Sequence, residues 1–292
     1  MSFNIAIASG KGGTGKTTVS VNLLHYLAKS AGSSIQLVDC DVEEPNDLIF
    51  FSSAEKVGER EISQLIPSID KDKCTFCRKC VEYCEFNAIV VIPPANFAEV
   101  NSKLCHSCGA CSVACSDNAI VENPKPIGTV NLFKTENGLD ITEGRLRIGS
   151  AMQTMLIKEL KKNVSIGKDI TIFDSPPGTS CPVVETISDT DLVVLVAEPT
   201  LFGLHDLKLM VALIKELNLP FGLVINKAGL GSKDIYDYIE SENIVLMGEI
   251  PFNEAYASSY AKGLITEEIS KEIDEAYHSI IMCITEHFLM TV

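Results

Sequence analysis

The stretch "FNIAIASGKGGTGKTTVSVNLL" (3–24) joins a short apolar run to a glycine-rich loop and then to a segment with helical spacing. Few features restrict a fold as much. The apolar run reads as a strand, "GKGGTGKT" (10–17) as a tight loop, and a helix as beginning near Gly15. In that context the loop N–H groups converge at a helix N-terminus, where phosphate is favoured. The candidate nucleotide-binding set is Gly10, Lys11, Gly12, Gly13, Thr14, Gly15, Lys16, Thr17 and Thr18. Lys16 is expected to reach the β- and γ-phosphates and Thr17 to ligate Mg²⁺. Lys11, near the start of the loop, has no place in that scheme.

The runs "IQLVD" (35–39), "ITIFD" (170–174), "LVVLVA" (192–197) and "FGLVIN" (221–226) are short, branched and almost uncharged. Strands buried on both faces of a parallel sheet have this texture. "IVLMGEI" (244–250) reads as a further strand, and 150–163 and 204–217 have helical period, so the pattern is βαβ. Residues 127–149 read as a hairpin turning at Asn137-Gly138. The expected fold is α/β: a P-loop nucleotide-binding unit with a mostly parallel sheet flanked by helices. Residues 1–66 and 126–292 form it, and a small α+β module occupies 67–125, bracketed by Pro67, Pro124 and Pro126.

That module is a duplication. "CTFCRKCVEYCEFNAIV" (74–90) aligns without gaps on "CHSCGACSVACSDNAIV" (105–121), and eight of the eleven cysteines lie in it. Each half reads C-x-x-C-x-x-C-x-x-x-C. Three closely spaced thiolates wrap one cubane, and the fourth ligates the cubane of the other half. The expected ligands are Cys74, Cys77, Cys80 and Cys115 for one [4Fe–4S] cluster, and Cys105, Cys108, Cys111 and Cys84 for the other. Structural zinc favours two C-x-x-C pairs with a longer spacer. The module resembles bacterial two-cluster ferredoxins over 70–122, except that Glu85 and Ser116 stand where those motifs usually carry proline.

The glycine loop, with its early lysine, resembles the deviant Walker A motif of MinD/Mrp/ParA-type ATPases, which include the nitrogenase iron protein. The resemblance implies a homodimer sandwiching two ATP molecules, in which Lys11 crosses the seam to the partner's nucleotide. "LVDCDVEEPN" (37–46) resembles the first switch of that family, and "TIFDSPPGTSC" (171–181) the second. Asp41 then orients the attacking water, Asp39 supports the Mg²⁺ side, Asp174 holds Mg²⁺ through water, and the Gly178 N–H faces the γ-phosphate. Lys11, Lys16 and Asp41 are the expected catalytic residues. Asn226 and Pro251 lie where the family frames adenine.

A net charge of −15 disfavours nucleic acid and anionic membrane as partners. The first residues lack the pattern of a signal peptide, so the expected location is the cytoplasm. Three functions fit: ATP-gated electron transfer to an unidentified redox partner, assembly or carriage of iron–sulfur or other metallocofactors, and a nucleotide-switched positioning protein. The Mrp carriers hold a late C-x-x-C pair, whereas here only Cys283 is late, on what reads as a core helix face. The acidic C-terminal segment argues against a MinD-like membrane helix. Cys181 is read as a packed cysteine of the second switch.

Overall fold

The computed structural model describes residues 2–30, 34–162, 164, 167–267 and 269–289. In chain order, β1 (Phe3–Ala8), α1 (Lys16–Ser30), β2 (Ile35–Asp39), a 3₁₀ turn (Asp47–Phe50) and β3 (Glu55–Ile69) come first. The cysteine segment holds α2 (Lys79–Glu82), β4 (Ile89–Ile92), β5 (Phe97–Val100) and α3 (Ala110–Ala114). Then follow β6 (Ile120–Lys134), β7 (Asp140–Leu146), α4 (Gln153–Lys162), β8 (Ile170–Asp174), α5 (Cys181–Ile187) and β9 (Leu192–Ala197). The last elements are α6 (Leu201–Glu216), β10 (Phe221–Ala228), α7 (Asp234–Ser241), β11 (Leu246–Pro251), α8 (Glu254–Ala261) and α9 (Lys271–Ile284).

The chain divides into two compact units. The first comprises residues 1–59, 130–145 and 157–292, and the second 60–129 and 146–156. The second unit therefore reaches beyond the expected 67–125, because it takes in most of β3, much of β6 and a segment after β7. Prolines mark the edges of the cysteine segment, not of the unit.

In the first unit the strand order is β11-β10-β9-β1-β8-β2-β7, continued by the ends of β6 and β3. β1 pairs in parallel with β8 and β9, β2 with β8 and β7, and β10 with β9 and β11. Every residue of β2, β8 and β9 is buried, as uncharged branched runs require when helices cover both faces. From α1, Val19, Leu23 and Leu27 pack into this core. From α9 come Ile273, Tyr277, Ile280 and Ile284, at the spacing of one helix face. Burying each such side chain contributes about 2 kcal/mol. The register sets Asp39 of β2 directly beside Asp174 of β8, at the carboxyl ends of their strands. Open α/β sheets bind ligands there.

The second unit carries a separate small hydrophobic cluster beside its cysteines. β4 and β5 form an antiparallel pair, Ile89 opposite Val100 and Ile92 opposite Phe97. Ile89, Val91, Ala98 and Cys111 are its buried centre, and Cys74, Cys80 and Cys84 pack against it. The duplication extends to the backbone. Asp70 N–H donates to Ala119 O and Asn101 N–H to Ala88 O, both at 2.7 Å. Phe76 and Ser107 are both left-handed, as are Asn87 and Asn118.

Cys283 packs partly buried against the core of the first unit. Cys181 is exposed at the start of α5, so its reading as a packed residue is corrected: Pro182 and Val183 turn inward instead. No described helix is long and apolar enough to cross a membrane.

Candidate functional site

The loop between β1 and α1 rims a cleft of about 470 Å³ that lies wholly in the first unit. Gly12, Gly13, Gly15, Lys16, Thr17 and Thr18 line one side of it. Two glycines are fixed by close approach. A Cβ on Gly10 would lie 2.5 Å from the Asp206 carbonyl, and one on Gly15 would lie 2.1 Å from the Asn226 amide. Gly15 is also left-handed, at φ 98°. Lys16 and Thr18 are buried, and Thr14 is buried with its hydroxyl unpartnered. Burial lowers the Lys16 ammonium, against the pull of Asp174 and Asp41.

Behind the loop lies a nest of carboxylates. Thr17 Oγ1 donates to Asp174 Oδ2 at 2.8 Å, and the Ser20 and Asp47 side chains also bear on Asp174. Asp39 accepts the N–H groups of Asp41, Asn46 and Asp47 at 3.0, 2.8 and 3.1 Å. Asp47 is fully buried beside Asp174, the two carboxyls close enough to share a proton. Burial and the neighbouring negative charge of Asp174 raise Asp39. Burial, then the charges of Asp39 and Asp174, raise Asp47 well above the carboxylate range. Burial likewise raises Asp174, held down by Lys16. Asp41 borders the cleft, and burial pushes it up to about 6, with Asp174 adding to the rise. Three buried carboxyls near one lysine are short of positive charge, and a buried carboxyl beside a threonine hydroxyl at the foot of a phosphate loop is a donor set that suits a hard divalent cation.

Lys11 is not among the residues lining the cleft. Its ammonium lies 3.4 Å from Glu198 just after β9, a carboxylate shared with Lys227, and its side chain is one-third exposed. Asn226 borders the cleft, yet both polar atoms of its amide have protein partners. Nδ2 donates to Thr14 O at 2.8 Å, and Oδ1 accepts from Lys227 N at 2.9 Å. Pro251 borders the same end. Gly178 N–H donates to Ser9 O at 3.0 Å rather than facing the cleft.

Sequence reasoning missed Asp47, Glu198 and the ring-bearing wall of Phe252, Tyr256 and Tyr260. Glu198 carried a readable signal, since an acid ending an uncharged strand is what singled out Asp174. Tyr256 and Tyr260 stand four apart on α8, one helical face. Asp47 had none, being one acid among several in "DVEEPND".

In the second unit, one cavity is lined by Cys74, Cys77 and Cys80 of the first repeat together with Cys115 of the second. The other is lined by Cys105, Cys108 and Cys111 together with Cys84. The crossing residue is held alike in each: Ala119 N–H points at Cys115 Sγ and Ala88 N–H at Cys84 Sγ, both at 3.3 Å. Among the described residues no three His, Cys, Asp or Glu side chains converge as for a single metal ion. A cubane asks for something else, thiolates spread around a body several atoms across.

Comparison with known proteins agrees with the first unit. The family described as CbiA, the CobQ/CobB/MinD/ParA nucleotide binding domain, matches residues 5–266. The uncharacterized protein MJ0579 of Methanocaldococcus jannaschii is 32% identical over 263 residues, 89% of each chain. An iron-sulfur cluster carrier protein of Pyrococcus furiosus is 25% identical over 267 residues, 86% of this chain and 74% of that one. The septum site-determining protein MinD of Pyrococcus horikoshii, solved with Mg-ADP, shares the fold: TM-score 0.60, 18% identity, 98% and 97% coverage.

Proposed function

Because the chain belongs to the CobQ/CobB/MinD/ParA nucleotide-binding family, we propose that it is a Mg²⁺-dependent ATPase, working as a homodimer, that couples ATP turnover to electron transfer through two [4Fe–4S] clusters. One observation carries the reading. The cysteine unit makes two cavities, each with three thiols from one repeat and the fourth from the other. That is the pattern of a two-cluster electron carrier, in the same chain as a phosphate loop.

At the nucleotide, the loop N–H groups and Lys16 hold the phosphates. Thr17 and, through water, Asp174 would hold Mg²⁺, with Asp39 and Asp47 behind them; the ion would supply the positive charge that phosphate transfer needs. Asp41, on the cleft wall, orients the attacking water. Lys11 does not line its own cleft, and its ammonium, one-third exposed, is paired with Glu198, which supports a role at the partner's nucleotide. A cation supplied across a seam makes hydrolysis conditional on assembly. Phe252, Tyr256 and Tyr260 with Pro251 form the wall for the base, while Asn226 braces the loop.

In the second unit, Cys74, Cys77, Cys80 and Cys115 hold one cluster and Cys105, Cys108, Cys111 and Cys84 the other. When bound, the clusters supply one-electron chemistry toward a redox partner. The protein's part is to cover, orient and hydrogen-bond their thiolates.

Relatives named iron-sulfur cluster carriers favour a second reading, in which the clusters are cargo for cofactor assembly. Against it, the only late cysteine, Cys283, is packed on the core. Transfer of iron to an apo-protein acceptor separates the two.

The test of the cluster assignment is anaerobic. The protein should contain iron and acid-labile sulfide for two cubanes per chain. Cys84→Ser and Cys105→Ser should alter the same paramagnetic centre during redox titration. If they disturb different centres, the crossed arrangement is wrong.

A further inference from the structure

Shifting the first repeat by 31 residues maps one cysteine cavity onto the other, so the residues that break the match report what the two sites do differently. Arg78 and Lys79 line the Cys74 cavity, and their counterparts in the Cys105 cavity are Gly109 and Ala110. Val91 lines the first cavity, and Glu122 takes its place in the second. Asp117 of the first cavity, which accepts the Thr75 hydroxyl at 2.6 Å, is replaced by Phe86, stacked on His106 at 3.9 Å. The residues lining the first cavity thus include two cations, both exposed at its rim, and one acid, while those lining the second include an acid and a histidine but neither lysine nor arginine.

Burial differs in the same sense. Cys105 and Cys111 are each 8% exposed, while their counterparts Cys74 and Cys80 are only half-buried. Arg78 is also held in left-handed backbone at φ 68°, where the second repeat has Gly109 at φ 75°. The cation is kept against the conformational preference of its position. One contact acts the other way: Ser107 N–H lies 3.5 Å from Cys105 Sγ, a long neutral hydrogen bond set against a difference in whole charges.

We propose, resting on the cluster reading above, that the two sites differ in potential. The centre on Cys74, Cys77, Cys80 and Cys115 accepts an electron more readily than the centre on Cys105, Cys108, Cys111 and Cys84, and Arg78 and Lys79 set the gap. Reduction adds one negative charge to a cluster, which nearby cations stabilise and a carboxylate in apolar surroundings opposes. An electron delivered by a one-electron reductant to the Cys105 side therefore runs downhill to the Cys74 side. From there it leaves to a one-electron acceptor.

The experiment is a paramagnetic redox titration of the full-length protein, with reduced viologen as electron donor. Cys77→Ser and Cys108→Ser, both at exposed thiols, assign the two signals. Two midpoints are expected, the Cys74 centre reducing first. The variant Arg78→Gly/Lys79→Ala, which installs the second repeat's own residues, should lower that midpoint toward the other and leave the Cys105 centre unmoved. Glu122→Gln should raise the Cys105 centre alone. Iron and sulfide are measured on each variant. If the double variant loses iron, Arg78→Gln/Lys79→Gln repeats the test with polar chains of similar length. Coincident wild-type midpoints, a Cys105 centre that reduces first, or variants that move neither midpoint would overturn the polarity while leaving the clusters in place. A wild-type protein without any [4Fe–4S] signal would overturn the cluster reading itself.

Discussion

The two units solve the problem of a stable core in opposite ways. The first buries whole strands: β2, β8 and β9 have no exposed residue, and α1 and α9 pack on them. Its binding cleft forms where those strands end, so the site is a by-product of a fold that stands without ligand. In the second, the hydrophobic cluster at the β4–β5 pair is Ile89, Val91, Ala98 and Cys111, with other thiols packed around it. If the proposed [4Fe–4S] clusters are bound there, their ligation would supply a large part of the stability of that hydrophobic cluster. One unit should keep its shape when emptied, and the other should not.

The largest effect should come from removing iron. Chelation under reducing conditions is expected to abolish hydrogen-exchange protection in 74–121 while β1, β8 and β9 stay protected and ATP still binds. Protection retained in the cysteine segment would mean that it folds on its own residues. Next in size is Lys16→Ala. Losing a buried charge-assisted contact to phosphate should cost about 3 kcal/mol, roughly a hundredfold in ATP affinity by calorimetry. Iron content should not change, and a parallel loss of iron would break the separation between units.

Lys11→Ala should bind ATP nearly normally yet hydrolyse it about a hundredfold more slowly, as when about 3 kcal/mol of transition-state stabilisation is lost. Mixing it with Asp41→Ala reconstitutes one complete site per mixed dimer and should restore up to half the activity. If mixed dimers form and stay inactive, Lys11 works within its own subunit. The smallest effect expected is for Asn226→Ala. It removes the 2.8 Å tie to Thr14 O, a loss of about 1 kcal/mol, seen as a several-fold rise in the ATP dissociation constant.

Legibility followed the same division. In the first unit, runs such as "ITIFD" and "LVVLVA" were readable because burial on both faces leaves no polar interruption. β3 was not read as a strand. It stands last in the strand order, and "EKVGEREISQLIPSI" carries the charges and proline that edge strands use against further pairing. β6 begins seven residues before the expected 127, at Ile120, because Pro124 and Pro126 suggested a break. At the nucleotide site, chain-local residues were legible: the loop, Asp41 and Asp174. Asp47 and Glu198 matter through what folding places beside them, which spacing does not encode. In the cysteine unit the spacing singled out the eight thiols that line the two cavities, but the unequal charges around them emerged only when the two cavities were compared.

The central claim is that nucleotide in the first unit acts on clusters in the second. The direct measurement is the midpoint potential of each cluster, titrated anaerobically with and without Mg²⁺-ATP, in wild type and in Lys16→Ala. The account predicts that ATP shifts the midpoints of wild type and leaves those of Lys16→Ala where they were. Superimposable wild-type titrations, with ATP demonstrably bound, would contradict it.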